Sequence, residues 1–284
     1  MSPDSLRNPF HPPDQRTGTP FELTGRFLDS ATTQALTEAL GEEESSRSEP
    51  QQDLPPADIS MSGKEQREVE DETIWSRQRY IEWAESFGED ESWVNNMFKF
   101  QPDGTTIVEG ELILEDKEIR QLPIGLTEVK GSLSVSGNPS LKLNRYPKKI
   151  GGDFDCSYNN LSSLQGMPEE VGRGIYLQNN KISSLAGLPK KLMGDLSLFN
   201  NQLENLNGIS KEISGYLNLA GNNQLTSLEA LKGTKIDGFL VLFNIPATTI
   251  PAGIEIGGCV YISASQTDLI VDAQAKGYRI KIVD

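Results

Sequence analysis

The sequence predicts a solenoid, a chain wound into short coils that stack around one continuous apolar interior. Three observations carry that expectation. Segments begin at Gly110, Gly131, Gly152, Arg173, Gly194 and Gly215, 21 residues apart, and slightly altered spacings lead on to Gly238 and Gly258. Counted from each start, position +2 is apolar (Leu112, Leu133, Phe154, Ile175, Leu196, Leu217, Leu240, Val260), and so is +4 (Leu114, Val135, Cys156, Leu177, Leu198, Leu219, Leu242, Ile262). Position +7 is asparagine in the five central segments, at Asn138, Asn159, Asn180, Asn201 and Asn222. Self-similarity at this period marks a repeat architecture in which each unit rests only on its neighbours.

A single segment cannot fold, because it orders about 21 residues at roughly 1–2 kcal/mol each while its five or six apolar side chains return about 1.5–3 kcal/mol apiece. Stacking lets each coil bury the next. The alternation at +2 and +4 marks a short strand facing the interior, and parallel pairing of successive strands predicts one curved sheet on the concave face. The turn after each strand leaves backbone N–H and C=O groups inside without sheet partners. A carboxamide offers both donor and acceptor, so the five asparagines are expected to form a structural ladder, lapsing at Lys117 and displaced to Asn244 in the seventh segment. Leu161, Leu164 and Val171, and their counterparts Ile182, Leu185, Leu192, Leu203, Leu206 and Ile213, complete the coils. Pro147, Pro168 and Pro189 recur in the return segment, which predicts a mostly extended or 3₁₀ convex side. Lys148 and Lys149, Glu169 and Glu170, then Lys190 and Lys191 alternate in sign, as a surface salt-bridge stripe would.

The repeats occupy 110–266, and both flanks read as caps. In 71–109, Ile74, Trp75, Ile81, Ala84 and Phe87 form a helical stripe ending at Gly88, and Asp90 starts a second helix with Trp93, Val94 and Met97. Phe98 and Phe100, the Pro102-Asp103-Gly104 turn, and Ile107 and Val108 then predict a hairpin. Two helices and a hairpin would cover the first coil; the alternative is that Trp75, Trp83 and Trp93 line a ligand site. In 267–284, Thr267 or Asp268 is expected to cap a helix carrying Leu269, Ile270, Val271 and Ala273 to Lys276, stopped by Gly277. Tyr278, Ile280 and Ile282 then alternate with Arg279 and Lys281 in a closing strand whose charges discourage edge pairing. Residues 1–70, rich in Pro, Ser, Glu, Asp and Gln, are expected to be a disordered acidic leader with one weak helix between Phe21 and Leu40.

The net charge of −15 is uneven: residues 1–100 hold 21 acids against 9 bases (−12) and residues 101–284 hold 20 against 17 (−3). No basic surface emerges, so nucleic acid is not an expected partner. No apolar run approaches the roughly 18 residues of a membrane helix, and the first 30 residues lack the core of a secretory signal. A cytoplasmic protein without membrane insertion is the expectation, with non-Sec export left open. Cys156 falls at an interior position and Cys259 at an outward one, so they cannot bridge, and a reducing compartment suits them.

The runs from Phe154 to Leu164 and from Leu177 to Leu185, with their L-x-L-x-x-N core and the return-segment proline, resemble the short bacterial-type leucine-rich repeat proteins. The resemblance covers about residues 105–284, and the region from Trp75 to Val108 is also similar to repeat proteins of small-genome bacteria. It implies a leucine-rich repeat solenoid that works by presenting a binding surface. Secreted effectors of bacterial pathogens share the repeat type, and some append a ubiquitin-ligase domain with a catalytic cysteine; this chain, ending at its cap, is expected to have none.

Positions +1, +3 and +5 face outward from the sheet. In the first three segments they read Glu111, Ile113, Glu115, Ser132, Ser134, Ser136, Asp153, Asp155 and Ser157, small, polar and acidic. From the fourth onward they include Tyr176, Phe199, Tyr216, Phe239, Val241, Phe243 and Tyr261. An apolar patch of this kind is expected to bind a protein or peptide, or else a second copy of the chain; the bland reading is aromatic stacking alone. No enzyme, cofactor or metal is expected. The only histidine is His11, and Asp153, Asp155 and Asp195, which might suit calcium or acid–base work if they converged, read as solvated acids. Gly151-Gly152 and Gly257-Gly258 recur in phase and read as bends instead of phosphate loops.

Overall fold

Parallel strands stacked coil upon coil build the described part of the molecule, a computed structural model in which residues 73–143 and 147–283 are described. The leader expected at 1–70, its helix between Phe21 and Leu40, and His11 lie outside those residues. Helix α1 (Arg77–Glu85) and helix α2 (Glu91–Met97) come first, followed by β1 (Lys99–Phe100), β2 (Thr106–Val108), β3 (Leu112–Ile113), β4 (Leu126–Val129) and β5 (Leu133–Ser134). The coils continue through β6 (Lys149–Ile150), β7 (Phe154–Asp155), β8 (Glu170–Val171), β9 (Ile175–Tyr176), β10 (Leu196–Ser197), β11 (Glu212–Ile213) and β12 (Leu217–Asn218). Then come β13 (Lys235–Ile236), β14 (Leu240–Val241), β15 (Glu255–Ile256), β16 (Val260–Ser263), helix α3 (Thr267–Ala275) and β17 (Ile280–Val283).

Nine strands form the main sheet, in the order β17-β16-β14-β12-β10-β9-β7-β5-β3. Its register is the repeat itself: Leu133 pairs with Phe154, Phe154 with Ile175, Ile175 with Leu196, and Leu196 with Leu217. Side chains at +2 and +4 point inward, and Leu112, Leu133, Leu177, Leu196, Leu217 and Leu240 have no exposed surface. They share one core with Leu164, Leu185 and Leu206 of the return segments and with Tyr80, Val94 and Phe98 before the first coil.

A second parallel ladder stands on the return side, just before each corner glycine. It runs β2-β4-β6-β8, with β1 antiparallel at its edge, then passes through an isolated bridge between Leu192 and Ile213 to β11-β13-β15. The expected extended return is therefore itself hydrogen-bonded, through segments as short as Glu170–Val171. Among the described residues one 3₁₀ helix interrupts it, at Glu229–Leu231. The charge stripe is partial: Lys148 reaches Glu169 at 3.7 Å and Lys149 reaches Glu128 at 3.6 Å, whereas no ion pair involves Lys190 or Lys191 among the described residues.

The turn after each main-sheet strand has a fixed backbone shape. Position +6 is left-handed in seven consecutive coils, at Asp116, Gly137, Tyr158, Asn179, Asn200, Gly221 and Asn244. Asn, Asp and Gly dominate because they tolerate that region best. Asn244 thus belongs to this row and not to the +7 ladder: it is exposed, and the buried Ile245 stands at +7.

The +7 side chains lie inside the turn and span two coils. The Asn180 Nδ2 donates to Leu177 O of its own coil and Cys156 O of the one before (3.1 and 2.9 Å), while its Oδ1 accepts from Asn159 N and Leu161 N (3.1 and 2.9 Å). Asn138, Asn201 and Asn222 repeat the two carbonyl contacts. Asn159 instead bonds Val135 O and the Cys156 Sγ.

Helix α1 starts after Ser76, whose hydroxyl accepts from Arg79 N, so Ile74 and Trp75 precede the helix instead of belonging to its stripe. Trp75 N donates to Ile124 O at 2.8 Å, and Ile74 is largely exposed. Tyr80 takes the central place that the stripe missed; it is fully buried, and its hydroxyl shares a 2.5 Å hydrogen bond with Thr106 Oγ1. Helix α2 is capped by Asp90, which accepts from Trp93 N. At the other end neither Thr267 nor Asp268 caps α3. Gln266 precedes it and ties coils together instead, accepting from Ser263 N and donating to Ile245 O, both at 2.9 Å. Tyr278 lies outside β17 and donates from its hydroxyl to Pro251 O.

Replacing Asn180 by alanine orphans one buried carbonyl, Cys156 O, and two buried amides, Asn159 N and Leu161 N, while Leu177 O keeps its bond from Asn201 Nδ2. Each orphaned group costs about 1–3 kcal/mol, so Asn180→Ala is expected to lower the urea midpoint strongly, while the exposed Ser162→Ala leaves it within error.

Candidate functional site

Outward side chains of the main sheet fall into rows, one residue per coil, about 4.8 Å apart. Near β5, β7 and β9 the rows are polar but not open. Ser132, Ser134, Asp153, Asp155, Ser157, Gln178 and Asp195 are each at most 9 % exposed. The aspartates expected to be solvated are thus buried, because neighbouring rows cover them.

At +1 a side-chain oxygen accepts the amide of the following coil. Ser132 Oγ takes Asp153 N (3.1 Å), Asp153 Oδ1 takes Gly174 N (2.8 Å), and Asp195 Oδ1 takes Tyr216 N (2.9 Å). This second side-chain ladder was legible only as the recurrence of Ser or Asp at +1. Its geometry forbids a side chain at Gly215, where a Cβ would lie 2.1 Å from Asp195 Oδ1. At +3, Asp155 Oδ1 accepts from Ser157 N and Oγ (2.9 and 2.6 Å). Ser134 donates to the exposed Glu115 at 2.7 Å.

Gly174 interrupts the +1 row between Asp153 and Asp195, and Tyr176 fills the gap. A Cβ on Gly174 would lie 2.7 Å from the Tyr176 Oη, which is hydrogen-bonded to Asp195. Burial pushes the Asp155 carboxyl up to about 6; the charges of Glu115 and Asp153 add to the rise, and the Ser157 bonds oppose it. Asp195 is also raised by burial, against its bonds to Tyr216 N and Tyr176. The Tyr176 and Tyr216 hydroxyls are pushed up, by burial first and then by surrounding negative charge. The three aspartates do not converge on one point, and no group of three or more His, Cys, Asp or Glu side chains among the described residues is placed to hold a metal ion.

Beyond Asp195 the face turns apolar. Ala220, Val241 and Tyr261 form a second buried cluster, separate from the interior, with Phe199, Phe239, Phe243, Cys259 and Val283 partly buried against it. Tyr216 stacks on Phe239 (5.0 Å, 4° between planes), Phe239 meets Tyr261 edge-on at 5.5 Å, and Phe243 meets Tyr261 at 6.4 Å. The Lys281 ammonium lies 5.4 Å from the Tyr261 ring centroid. Of the seven residues of the expected patch, six therefore stand together and Tyr176 belongs to the acidic half. Tyr261 and Val241 are 5 % and 1 % exposed, so the half-buried Phe199, Tyr216, Phe239 and Phe243 carry what the patch presents. Ala220 had escaped notice: a small +5 residue gives no signal, yet it leaves the space into which the neighbouring rings close. Gln178, at the junction of the halves, has a buried Oε1 without a hydrogen-bond partner among the described residues.

The three tryptophans do not line a site. They pack edge to face with Tyr80, Phe87 and Phe98 and join the interior core. A separate cleft of about 640 Å³ lies between the end of α2 and the corner at Glu109–Glu111, lined by Asn95, Asn96, Met97, Phe98, Lys99 and Val108. Neither cysteine forms a disulfide; Cys156 is buried, its Sγ accepting from Asn159, and Cys259 is half-buried. No helix among the described residues is long and apolar enough to cross a membrane. No family model matches the chain, and no curated protein or solved structure matches it either.

The folded chain holds a proton on Asp155 up to about pH 6, whereas an unfolded aspartate releases it near pH 3.9. The native state thus binds more protons between those values, and stability falls as pH rises through them. Urea unfolding from pH 4 to 7 is expected to show the native chain losing stability relative to Asp155→Asn; a constant difference would mean a hydrated carboxylate.

Proposed function

We propose that this chain is a leucine-rich repeat solenoid acting as a non-enzymatic recognition module, its ends closed by α1, α2 and the β1–β2 hairpin on one side and by α3 and β17 on the other. The outer face of the nine-stranded sheet is its binding surface. The ligand is a peptide or protein segment that lays apolar side chains over Phe199, Tyr216, Phe239 and Phe243 and holds a basic side chain in the field of the adjoining acidic half, whose Asp153, Asp155 and Asp195 lie beneath the surface. One observation carries this reading: a buried acidic half and an aromatic half adjoin on a single rigid face.

Rigid aromatics present large contact area at little entropic cost, and carboxylates in low dielectric favour a cation strongly over a neutral group. Support for a binding role over catalysis comes from the aspartates themselves: Asp153 and Asp195 are engaged by backbone amides of the next coil, which fixes them as braces. Thiols left unbridged at Cys156 and Cys259 suit the proposed cytoplasmic residence.

Panning the full chain against a random peptide library is expected to enrich Lys or Arg a few residues from an aromatic or large aliphatic residue. Phe243→Ala, at the rim of the cluster, should weaken the selected peptides about tenfold, the cost of losing an aromatic anchor, with an unchanged circular-dichroism spectrum. Selected peptides without basic residues, or binding indifferent to Phe243→Ala, would sink the assignment.

A further inference from the structure

The two edges of the main sheet differ in a way that makes them fit each other. A parallel strand uses alternate residues for each neighbour. On β3, Leu112 and Leu114 donate to Ser132 O and Ser134 O (2.9 and 2.8 Å), which turns the backbone groups of Ile113 away from β5. On β17, Arg279 O and Val283 O accept from Val260 N and Ala264 N (2.7 and 2.9 Å), which turns those of Ile280 and Ile282 to the far side. Inside the solenoid every joint has +2 and +4 amides of one coil donating to +1 and +3 carbonyls of the next, as Leu240 N does to Cys259 O and Leu242 N to Tyr261 O. Ile280 and Ile282 pair with Val260 and Ile262, so they hold the +2 and +4 places. A second copy's β3 laid parallel to β17 reproduces the internal joint, with Ile280 N facing Glu111 O and Ile282 N facing Ile113 O.

Charge selects this pairing over the others. The exposed charged side chains at and beside β17 are Arg279 and Lys281, and those at and beside β3 are Glu111, Glu115, Asp116 and Glu118. Two β17 edges meeting antiparallel would set Lys281 against Lys281, and two β3 edges would crowd carboxylates; like charges directly opposite are unfavourable. Head to tail, Arg279 stands beside Glu111, and Lys281 lies diagonally between Glu111 and Glu115. Each edge also carries uncovered apolar surface, with Ile282 52 % and Ile113 39 % exposed. The cleft of about 640 Å³ beside Gly110 and Glu111 opens at the level Arg279 and Ile280 would occupy.

We propose that copies of this chain associate end to end, β17 of one continuing the sheet at β3 of the next. The joint is heterologous, so each addition leaves a free β3 and a free β17, and association propagates beyond a dimer into chains or closed rings. It uses neither Phe243 nor the aspartates, and so stands apart from peptide recognition.

Sedimentation velocity of the full chain across a wide concentration range is the test. The average mass is expected to grow with concentration and to shrink with added salt, which screens exposed charge. Arg279→Glu with Lys281→Glu, and separately Glu111→Lys with Glu115→Lys, should each weaken association by about tenfold or more, since these charges set the encounter. Mixing the two reversed proteins should restore it, because each then meets an opposite edge. A native chain that stays monomeric at every concentration overturns the proposal. So does association that both reversals leave intact, with Phe243→Ala then locating it on the aromatic face. Circular dichroism of each variant confirms that exposed substitutions leave the fold in place.

Discussion

A coil this short must turn sharply after each strand, and the backbone inside those turns has no sheet to bond. The asparagine carboxamide at +7 resolves this by reaching across two coils at once, closing carbonyls with its nitrogen and amides with its oxygen. That contact ties register to sequence: a coil slipped by one residue would leave both faces of the carboxamide and both sets of backbone groups unpaired in the interior. The shared apolar core supplies most of the favourable free energy, but it is tolerant of small shifts. The carboxamide is not, and it makes one stacking geometry the only satisfactory one.

Much of this is legible in the sequence, because the interior rows depend only on period. Leu112 to Val260 at +2, and Leu114 to Ile262 at +4, are buried as their spacing required. What depends on lateral neighbours was not legible. Asp153 and Asp155 read as surface acids because nothing in a single coil reports that Tyr176 leans back over the gap at Gly174. The second ladder escaped because two-residue strands such as Glu170–Val171 are too short to show alternation. Asn244 was misassigned because Asn serves two neighbouring purposes here, a left-handed backbone at +6 and a carboxamide bridge at +7, and sequence alone does not separate them.

The outer face inherits its chemistry from the same spacing. Strands about 4.8 Å apart hold planar side chains of one row near their preferred separation, and the Tyr216–Phe239 stack at 5.0 Å follows directly. The acidic half is fixed differently. Its carboxylates brace the next coil through backbone amides, so their burial is part of the architecture, and the raised Asp155 is a by-product of the surroundings that hold it. One face thus carries two surfaces whose rigidity comes from separate sources.

The coil from Gly215 to Gly238 is 23 residues long and the one after it, to Gly258, is 20. Yet Leu217 still pairs with Leu240, and Leu240 with Val260. The helical turn at Glu229–Leu231 sits in the longer return, away from both the +7 bridge and the outer rows. Loop length and face chemistry are thereby uncoupled. Lineages and protein engineers alike can add or trim residues there without disturbing what the sheet displays, so the back of each coil is where this architecture has freedom to diversify.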